Sequence, residues 1–464
     1  MRVLIFGTGN YYNRYKKWFS KQEVVAILDN AVEKQNTILD GIKVYSPDKV
    51  VDLEYDYIFI LSFYYEEMKS QLVNLGVSKD KICHFFQLYK FIDDNRLMHS
   101  ASYYGILPEE IEQQKKETIL LLSADLDLQS GPAKVLVRMA RIIKQHGQKV
   151  VIGTMQDGTL RKTLVEENIP VIVDSDLQVA NMKDIVWTHG FKKILCNTIG
   201  FYAFILDRDI STPVIWWLHD SEFFMHGIES DEIQNTNCEN LEIKSVGNIP
   251  AKAIQKYWSN VKVSNLLYGV PNTSIALNDT CVKNEDSISF LTLGYIEKRK
   301  GQDILLEAIE SLEDYIKNKA QFYFVGNDTS VMAKEIKEKA KDIPEIIMTG
   351  MVDEEEKRRL FANADVLICP SREDPMPAVV TEAMMNGVPC IMSDAVGQAE
   401  FIINRENGFK FKSQNVKELA DNISWCMENR TQLHQIGKVS KSIYENKFSM
   451  EAYDKEIIET VING

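Results

Sequence analysis

Short runs of aliphatic and β-branched residues recur along the chain, each followed by a stretch with helical spacing. That alternation specifies parallel sheets, because a parallel strand pair needs a helix-length crossover between its members. Three groups are visible. The first holds RVLIF (2–6), VVAIL (24–28) and YIFIL (57–61). The second runs from TILLLS (118–123) through KVVIG (149–153), VIV (171–173) and KILC (193–196) to VIWWL (214–218). The third runs from ISFLTLG (288–294) through FYFV (322–325), EIIMTG (345–350) and VLIC (366–369) to CIMSD (390–394). The expected architecture is α/β, with three doubly wound units. The polar, charge-rich stretch 91–117 reads as a linker with some helix, 266–287 as a turn-rich hinge, and 440–464 as helix.

At 464 residues the chain has room for about three domains at ~150 residues each. A formal charge of −14 argues against nucleic acid as the main partner, since phosphate binding needs a basic surface. Seven cysteines, odd in number and without C-x-x-C spacing, fit reduced thiols and no disulfide framework. The histidines lack ligand spacing, so no metal site is expected. The N-terminal apolar stretch is too short for a signal peptide, and no run approaches the ~20 apolar residues of a membrane span. The expectation is a soluble cytoplasmic protein.

At the N-terminus, Gly7-Thr8-Gly9 follows a strand and Asp29 closes the next one. This is the layout of a dinucleotide site, in which glycines admit phosphates and the acid accepts from a ribose hydroxyl. Tyr12 stands where a third glycine belongs, so a Rossmann-type domain without a dinucleotide is the competing reading. Residues 1–90 resemble the small Rossmann domains at the front of sugar acyltransferases and of some polysaccharide-biosynthesis proteins.

The most informative segment is PSREDPMPAVVTEAMMNGVPCIMSD (370–394). Pro375 and Pro377 suit a helix N-terminus, and Asn386-Gly387 suits its end. Asp374 then lies in the loop before the helix and Glu382 on its second turn. Amides around Met376, Pro377, Ala378 and Val379 would offer a positive dipole end to a diphosphate. One carboxylate can then meet sugar hydroxyls and the other ribose hydroxyls.

Read together, Pro370-Ser371-Arg372-Glu373-Asp374, Glu382-Ala383-Met384, Gly387 and Pro389 resemble the motif of the retaining glycosyltransferases of family 4. The resemblance covers about 117–464 and implies the two-domain GT-B fold, preceded here by an extra N-terminal Rossmann-like domain. Asp374 replaces the commoner glutamate, one methylene shorter. Gly294 to Gly301 falls on the family's G-R-x4-K-G: Lys300 matches the lysine, Tyr295 replaces the arginine, and Arg299 is the candidate substitute for its charge. The resemblance further implies a nucleobase contact at Val352, a phosphate contact at Gly131, and a sugar contact at His219 in Trp216-Trp217-Leu218-His219-Asp220. Glu400 in Ala395 to Glu400 is expected to support its loop. Asp353 to Glu356 followed by Lys357 reads as ordinary helix-end charge.

The resemblance implies a retaining sugar transfer from a nucleoside-diphosphate sugar, UDP favoured over GDP, to an acceptor hydroxyl in cell-surface polysaccharide or glycoconjugate synthesis. No cofactor or metal is required, because Lys300 and the helix amides take up the charge on the leaving diphosphate, while Asp374 orients the sugar and Glu382 holds the ribose. The expected domains are 1–90 (accessory), 91–116 (linker), 117–270 (acceptor), 271–445 (donor) and a C-terminal helix, 446–464, crossing back to the acceptor domain. The acceptor is a glycan or lipid-linked glycan. Lys134, Arg138, Arg141 and Lys144, in an acid-free stretch, form a basic face that is either plainly solvated or a peripheral contact with anionic membrane. Homo-oligomerisation or partner docking through the N-terminal domain is the further expectation. Three Asp-x-Asp triplets (125/127, 174/176, 207/209) are at the chance level and do not suggest a GT-A enzyme. The competing readings are a GT-B epimerase, which lacks an evident acid/base set, and a catalytically silent GT-B partner protein.

Overall fold

The computed structural model describes residues 1–92, 101–128, 130–274 and 287–464. Most of the expected hinge and residues 93–100 of the expected linker lie outside the described residues. Three sheets carry the fold. The first has β1 (Arg2–Phe6), β2 (Glu23–Leu28), β3 (Ile38–Leu39), β4 (Ile42–Tyr45), β5 (Tyr57–Ile60) and β6 (Ile82–His84), in the order β3-β4-β2-β1-β5-β6. It is parallel except for the β3–β4 pair.

The second sheet has β7 (Ser102–Tyr104), β8 (Thr118–Ser123), β9 (Lys149–Thr154), β10 (Val171–Val173), β11 (Lys193–Asn197), β12 (Val214–Leu218), β13 (Leu241–Ser245) and β14 (Val263–Asn265). Their order is β14-β13-β12-β11-β8-β9-β10-β7. Its central strands are buried on both faces, which is why they read as unbroken apolar runs. The stretch expected to be a linker is partly built into this sheet: β7 pairs antiparallel with β10, and Pro108–Gln114 forms a helix.

The third sheet has β15 (Ile288–Leu293), β16 (Ala320–Val325), β17 (Ile346–Gly350), β18 (Val366–Cys369), β19 (Cys390–Ser393) and β20 (Phe409–Phe411), all parallel, in the order β17-β16-β15-β18-β19-β20. The chain steps from β15 outward to β17, then returns to place β18 on the other side of β15. In such sheets the crevice beyond the carboxyl ends of the two central strands is where ligands bind.

The described chain divides into two compact units, Met1–Ile243 with Ala253–Val263, and Lys244–Lys252 with Ser264–Gly464. Within the first, one apolar core runs from Val3 through Trp216 to Trp258, so the N-terminal sheet shares its core with the second. The seam between them is aromatic and charged. Phe63 meets Phe224 edge-on at 4.6 Å, and Lys90 pairs with Glu229 (2.5 Å) and Glu232 (2.9 Å). In the second unit the C-terminal helices pack back on the chain near Val270, whose carbonyl accepts from the Tyr444 hydroxyl at 2.9 Å.

Among the described residues no helix is long and apolar enough to cross a membrane. The basic face of the helix Gly131–Gln145 is partly spent inside the fold. Arg141 grips Glu167 through two bonds of 2.7 and 2.8 Å, and Lys144 caps the carbonyls of Glu167 and Asn168. The acid absent from the local sequence is supplied 26 positions further on.

Candidate functional site

The carboxyl ends of β15 and β18 bring the two motif segments together. After β15, Lys298–Lys300 forms one 3-10 turn, and Gly301 follows at φ +71°. A Cβ on Gly301 would lie 2.1 Å from the carbonyl oxygen of Pro370, so only glycine lets this turn meet the end of β18. Arg372 pins the two loops: its guanidinium takes both oxygens of Asp303 (2.8 and 2.7 Å) and donates to the Lys298 carbonyl at 2.6 Å. Burial pushes the Asp303 carboxyl up, but Arg372 outweighs it and holds Asp303 below the usual carboxylate range.

This clamp sets Lys300 against Asp374, with Nζ donating to Oδ2 at 2.5 Å. The Asp374 side chain is 8% exposed and that of Lys300 21%, so the pair is largely dry. Arg299 lies beside them. It donates to the Glu373 carbonyl at 3.2 Å, pairs with Glu297 at 2.9 Å and stands 3.8 Å from Asp374. The side chain at the family-arginine position, Tyr295, is turned to solvent, 63% exposed. A guanidinium, that of Arg299, does stand at this turn, four positions after Tyr295.

Asp374 also continues the sheet edge: its amide donates to Ala395 and its carbonyl accepts from Gly397, both at 2.9 Å. Gly397 makes that approach possible, since a Cβ there would lie 1.7 Å from the Pro375 carbonyl oxygen. Glu400, at the end of the same turn, accepts from the Asn248 carboxamide, with burial pushing its carboxyl up. This bond ties the turn to the start of the helix Asn248–Tyr257, 152 positions away in sequence.

The helix Ala378–Met385 begins after Pro377, which makes no side-chain cap, and ends at Asn386 with Gly387 at φ +69°. The Met376 carbonyl accepts from the buried Tyr268 hydroxyl, and the Pro377 carbonyl accepts from Gln398 at 2.9 Å. Among the described residues the Ala378 and Val379 amides have no acceptor, as expected for a first helical turn left open. Glu382, one turn on, accepts from Lys357 at 3.0 Å. Lys357 also pairs with Glu354 at 2.8 Å. Burial pulls the Lys357 ammonium down, but Glu382 and Glu354 carry it above the usual lysine range.

Lys357 and Arg372 are the members of this site that motif reasoning missed. Lys357 looks like helix-end charge because its partner lies 25 positions away. Arg372 falls on a variable place of the motif. Val352, half-buried, follows the end of β17 and so lies on the same edge of the sheet.

In the first unit, Gly131 opens the helix Gly131–Gln145 behind Ser130, with open space where its Cβ would be. His219 follows β12 directly and packs its ring edge-on against Trp217 at 4.3 Å. Burial pulls its imidazole down to about 3, so it is neutral throughout the physiological range. Burial has the opposite effect on the adjacent Asp220, whose carboxyl is pushed up to about 6 although it accepts from the Ile199 amide at 2.7 Å. Asp220 was not among the expected site residues. Its place at the end of a central strand was the available signal.

These two groups give opposite pH dependence. The native imidazole stays neutral while the unfolded one takes a proton near 6.5, so stability is lost as pH falls from there toward 3. The native Asp220 carboxyl takes its proton before the unfolded one does, so stability is gained as pH falls from about 6 to about 4. At ~1.4 kcal/mol per pKa unit, each contributes roughly 3 kcal/mol between pH 8 and pH 4. Denaturation by urea at the two pH values should therefore move His219→Gln toward greater stability than wild type at pH 4. Asp220→Asn should move toward greater stability at pH 8.

The N-terminal glycine loop is arranged differently from a phosphate cradle. Asp29 accepts from the Thr8 amide (3.0 Å), the Thr8 hydroxyl and the Ala31 amide (2.9 Å), so its carboxylate is used in holding the loop. Gly7, at φ +114°, faces the Leu61 carbonyl, while Gly9 faces open space. Tyr12 is buried, with its hydroxyl donating to Asp40 at 3.0 Å, and fills the place of the third glycine with core. The helix that follows, Asn10–Tyr15, is six residues long.

Residues 278–443 match the family model Glycosyl transferases group 1, and residues 1–83 match C2185-like, N-terminal. Protein CapJ of Staphylococcus aureus is 25% identical over 331 residues, covering 68% of this chain and 80% of its own. The putative teichuronic acid biosynthesis glycosyltransferase TuaC of Bacillus subtilis is 31% identical over 155 residues, covering 33% of this chain and 36% of its own. Among solved structures, Anabaena HepE in complex with UDP and glucose superposes with a TM-score of 0.58 at 18% identity, over 75% of this chain and 100% of its own. The chain thus has the GT-B fold with an extra N-terminal sheet, its residues 278–443 match the Glycosyl transferases group 1 model, and some of its relatives, TuaC among them, are named as glycosyltransferases.

Proposed function

We propose that the chain is an enzyme, a retaining glycosyltransferase that moves a sugar from a UDP-sugar to an acceptor hydroxyl in the synthesis of a cell-surface polysaccharide or glycoconjugate. The observation that carries this reading is the dry Lys300–Asp374 pair at the crevice between β15 and β18, with the open amides of Ala378 and Val379 at the start of the helix that follows. Lys300 and Arg299, with those amides, would neutralise charge growing on the leaving diphosphate, so that no metal is needed. Asp374 would orient the donor sugar. Glu382, aimed by Lys357, would hold the ribose, with Val352 beside the base. Residues 271–445 take the donor and 117–270 the acceptor; within the latter, Gly131 would contact the donor phosphates and His219 the transferred sugar. UDP is favoured over GDP because the neighbour HepE binds UDP and glucose. On this reading the chain works in the cytoplasm on a glycan or lipid-linked glycan.

Thermal unfolding with UDP, GDP and ADP tests it. A ligand at ~100 times its Kd stabilises by ~2.7 kcal/mol, which raises Tm by several degrees. UDP should give that shift in wild type and lose most of it in Glu382→Ala. No shift with any nucleoside diphosphate, or a shift indifferent to Glu382, overturns the reading.

A further inference from the structure

The N-terminal sheet and the second sheet meet through their carboxyl ends. Tyr11, Phe63 and Phe85 follow β1, β5 and β6, while Ala124, Gln156 and Asp220 follow β8, β9 and β12. Arg14 spans the seam, donating to the Gln156 carboxamide at 2.9 Å and reaching the Ala124 carbonyl at 3.5 Å. Asn10, Tyr11, Asn13, Arg14 and Gln156 there line a cavity of about 470 Å³. Tyr11 is fixed as its aromatic wall, stacked on Phe85 at 4.9 Å and edge-on to Phe63 at 4.6 Å. Its hydroxyl lies within electrostatic reach of Asp220 and Asp125.

The chemistry of this lining is specific. Three carboxamides offer donors and acceptors together, which is what a hydroxyl-bearing ligand needs, and the aromatic wall suits the apolar face of a sugar ring. Arg14 is already committed to the protein, and the nearby carboxylates make the region a poor host for an anion. The cavity also lies at the carboxyl end of β9, which Gln156 follows, and doubly wound sheets bind ligands at such ends. We propose that Asn10, Tyr11, Asn13 and Arg14 of the N-terminal domain, with Gln156, form a subsite for a neutral saccharide unit of the acceptor. This rests on the glycosyltransferase reading above and gives the N-terminal domain a part in acceptor choice.

Saturation-transfer NMR on the full chain, with 4-nitrophenyl glucoside, galactoside and N-acetylglucosaminide as probes, tests the proposal. At least one probe should give a signal that persists in Glu382→Ala. Asn13→Trp, which fills the cavity from an exposed position, should reduce it at least fivefold, and the double variant Asn10→Ala/Asn13→Ala should also weaken it. A signal unchanged in both variants, or none with any probe, overturns the subsite. If UDP still stabilises the chain through Glu382 in that case, the subsite alone has failed. Saccharide binding at Asn13 with no UDP effect removes the acceptor role, because the donor reading has then failed.

Discussion

Lys300→Ala is expected to lower the turnover of the UDP-sugar by about 100-fold to 1,000-fold, the usual range for removing one preorganised donor to developing charge. The loss should fall on kcat more than on donor KM, because the ammonium would matter most once the glycosidic bond has broken and the diphosphate carries the charge. In the resting chain Lys300 is held by Asp374 at 2.5 Å, and Arg299 stands 3.8 Å from the same carboxylate. Truncating Lys300 therefore leaves Asp374 with a partner, and stability should fall by less than the ~3–5 kcal/mol typical of breaking a buried pair outright. The measurement is UDP release from the UDP-sugar that stabilises the chain, beside urea unfolding of the same samples. A fall in kcat below threefold would take Lys300 out of the chemistry.

The same pair shows what could be read from the sequence. The fully buried strands β8, β11, β12, β18 and β19 are legible, because a strand buried on both faces must be an apolar run whatever surrounds it. The half-exposed β4 and β13 and most of the edge strands are not. β3, β7, β14 and β20 are two or three residues long, too short to stand out from the polar residues around them. For the candidate site, the sequence points to Asp374, Glu382 and Lys300 because the family motif ties them to turns beside particular strands. Lys357 could not be found in that way. Its position is set by how the helix Glu354–Asn363 lies beside Glu382, a tertiary fact without a local sequence signature. The N-terminal loop shows the converse. Its glycines and acid match a phosphate motif, yet Asp29 is engaged by Thr8 and Ala31, and Tyr12 is core.

Gly301→Ala should have a large effect on both stability and donor binding, for two separable reasons. Gly301 adopts φ +71°, which costs an L-residue about 1–2 kcal/mol. Its missing side chain also faces the backbone oxygen of Pro370 at 2.1 Å, an atom that cannot yield unless the end of β18 moves. That strand end carries Ser371 to Asp374, so relief of the clash must pull Asp374 away from Lys300 or unseat the Arg372 clamp on Asp303. Gly387→Ala is the control. Its φ is +69°, but the nearest atom to a new Cβ is 3.7 Å away, which is ordinary contact. Gly387→Ala should therefore lose about 1–2 kcal/mol and keep its UDP response. Gly301→Ala should lose at least about 3 kcal/mol, near the upper end for single substitutions, and most of the UDP-induced rise in Tm. Equal losses in the two variants would mean that the basic turn has room to move away from β18. The close approach would then not be what holds Lys300 on Asp374.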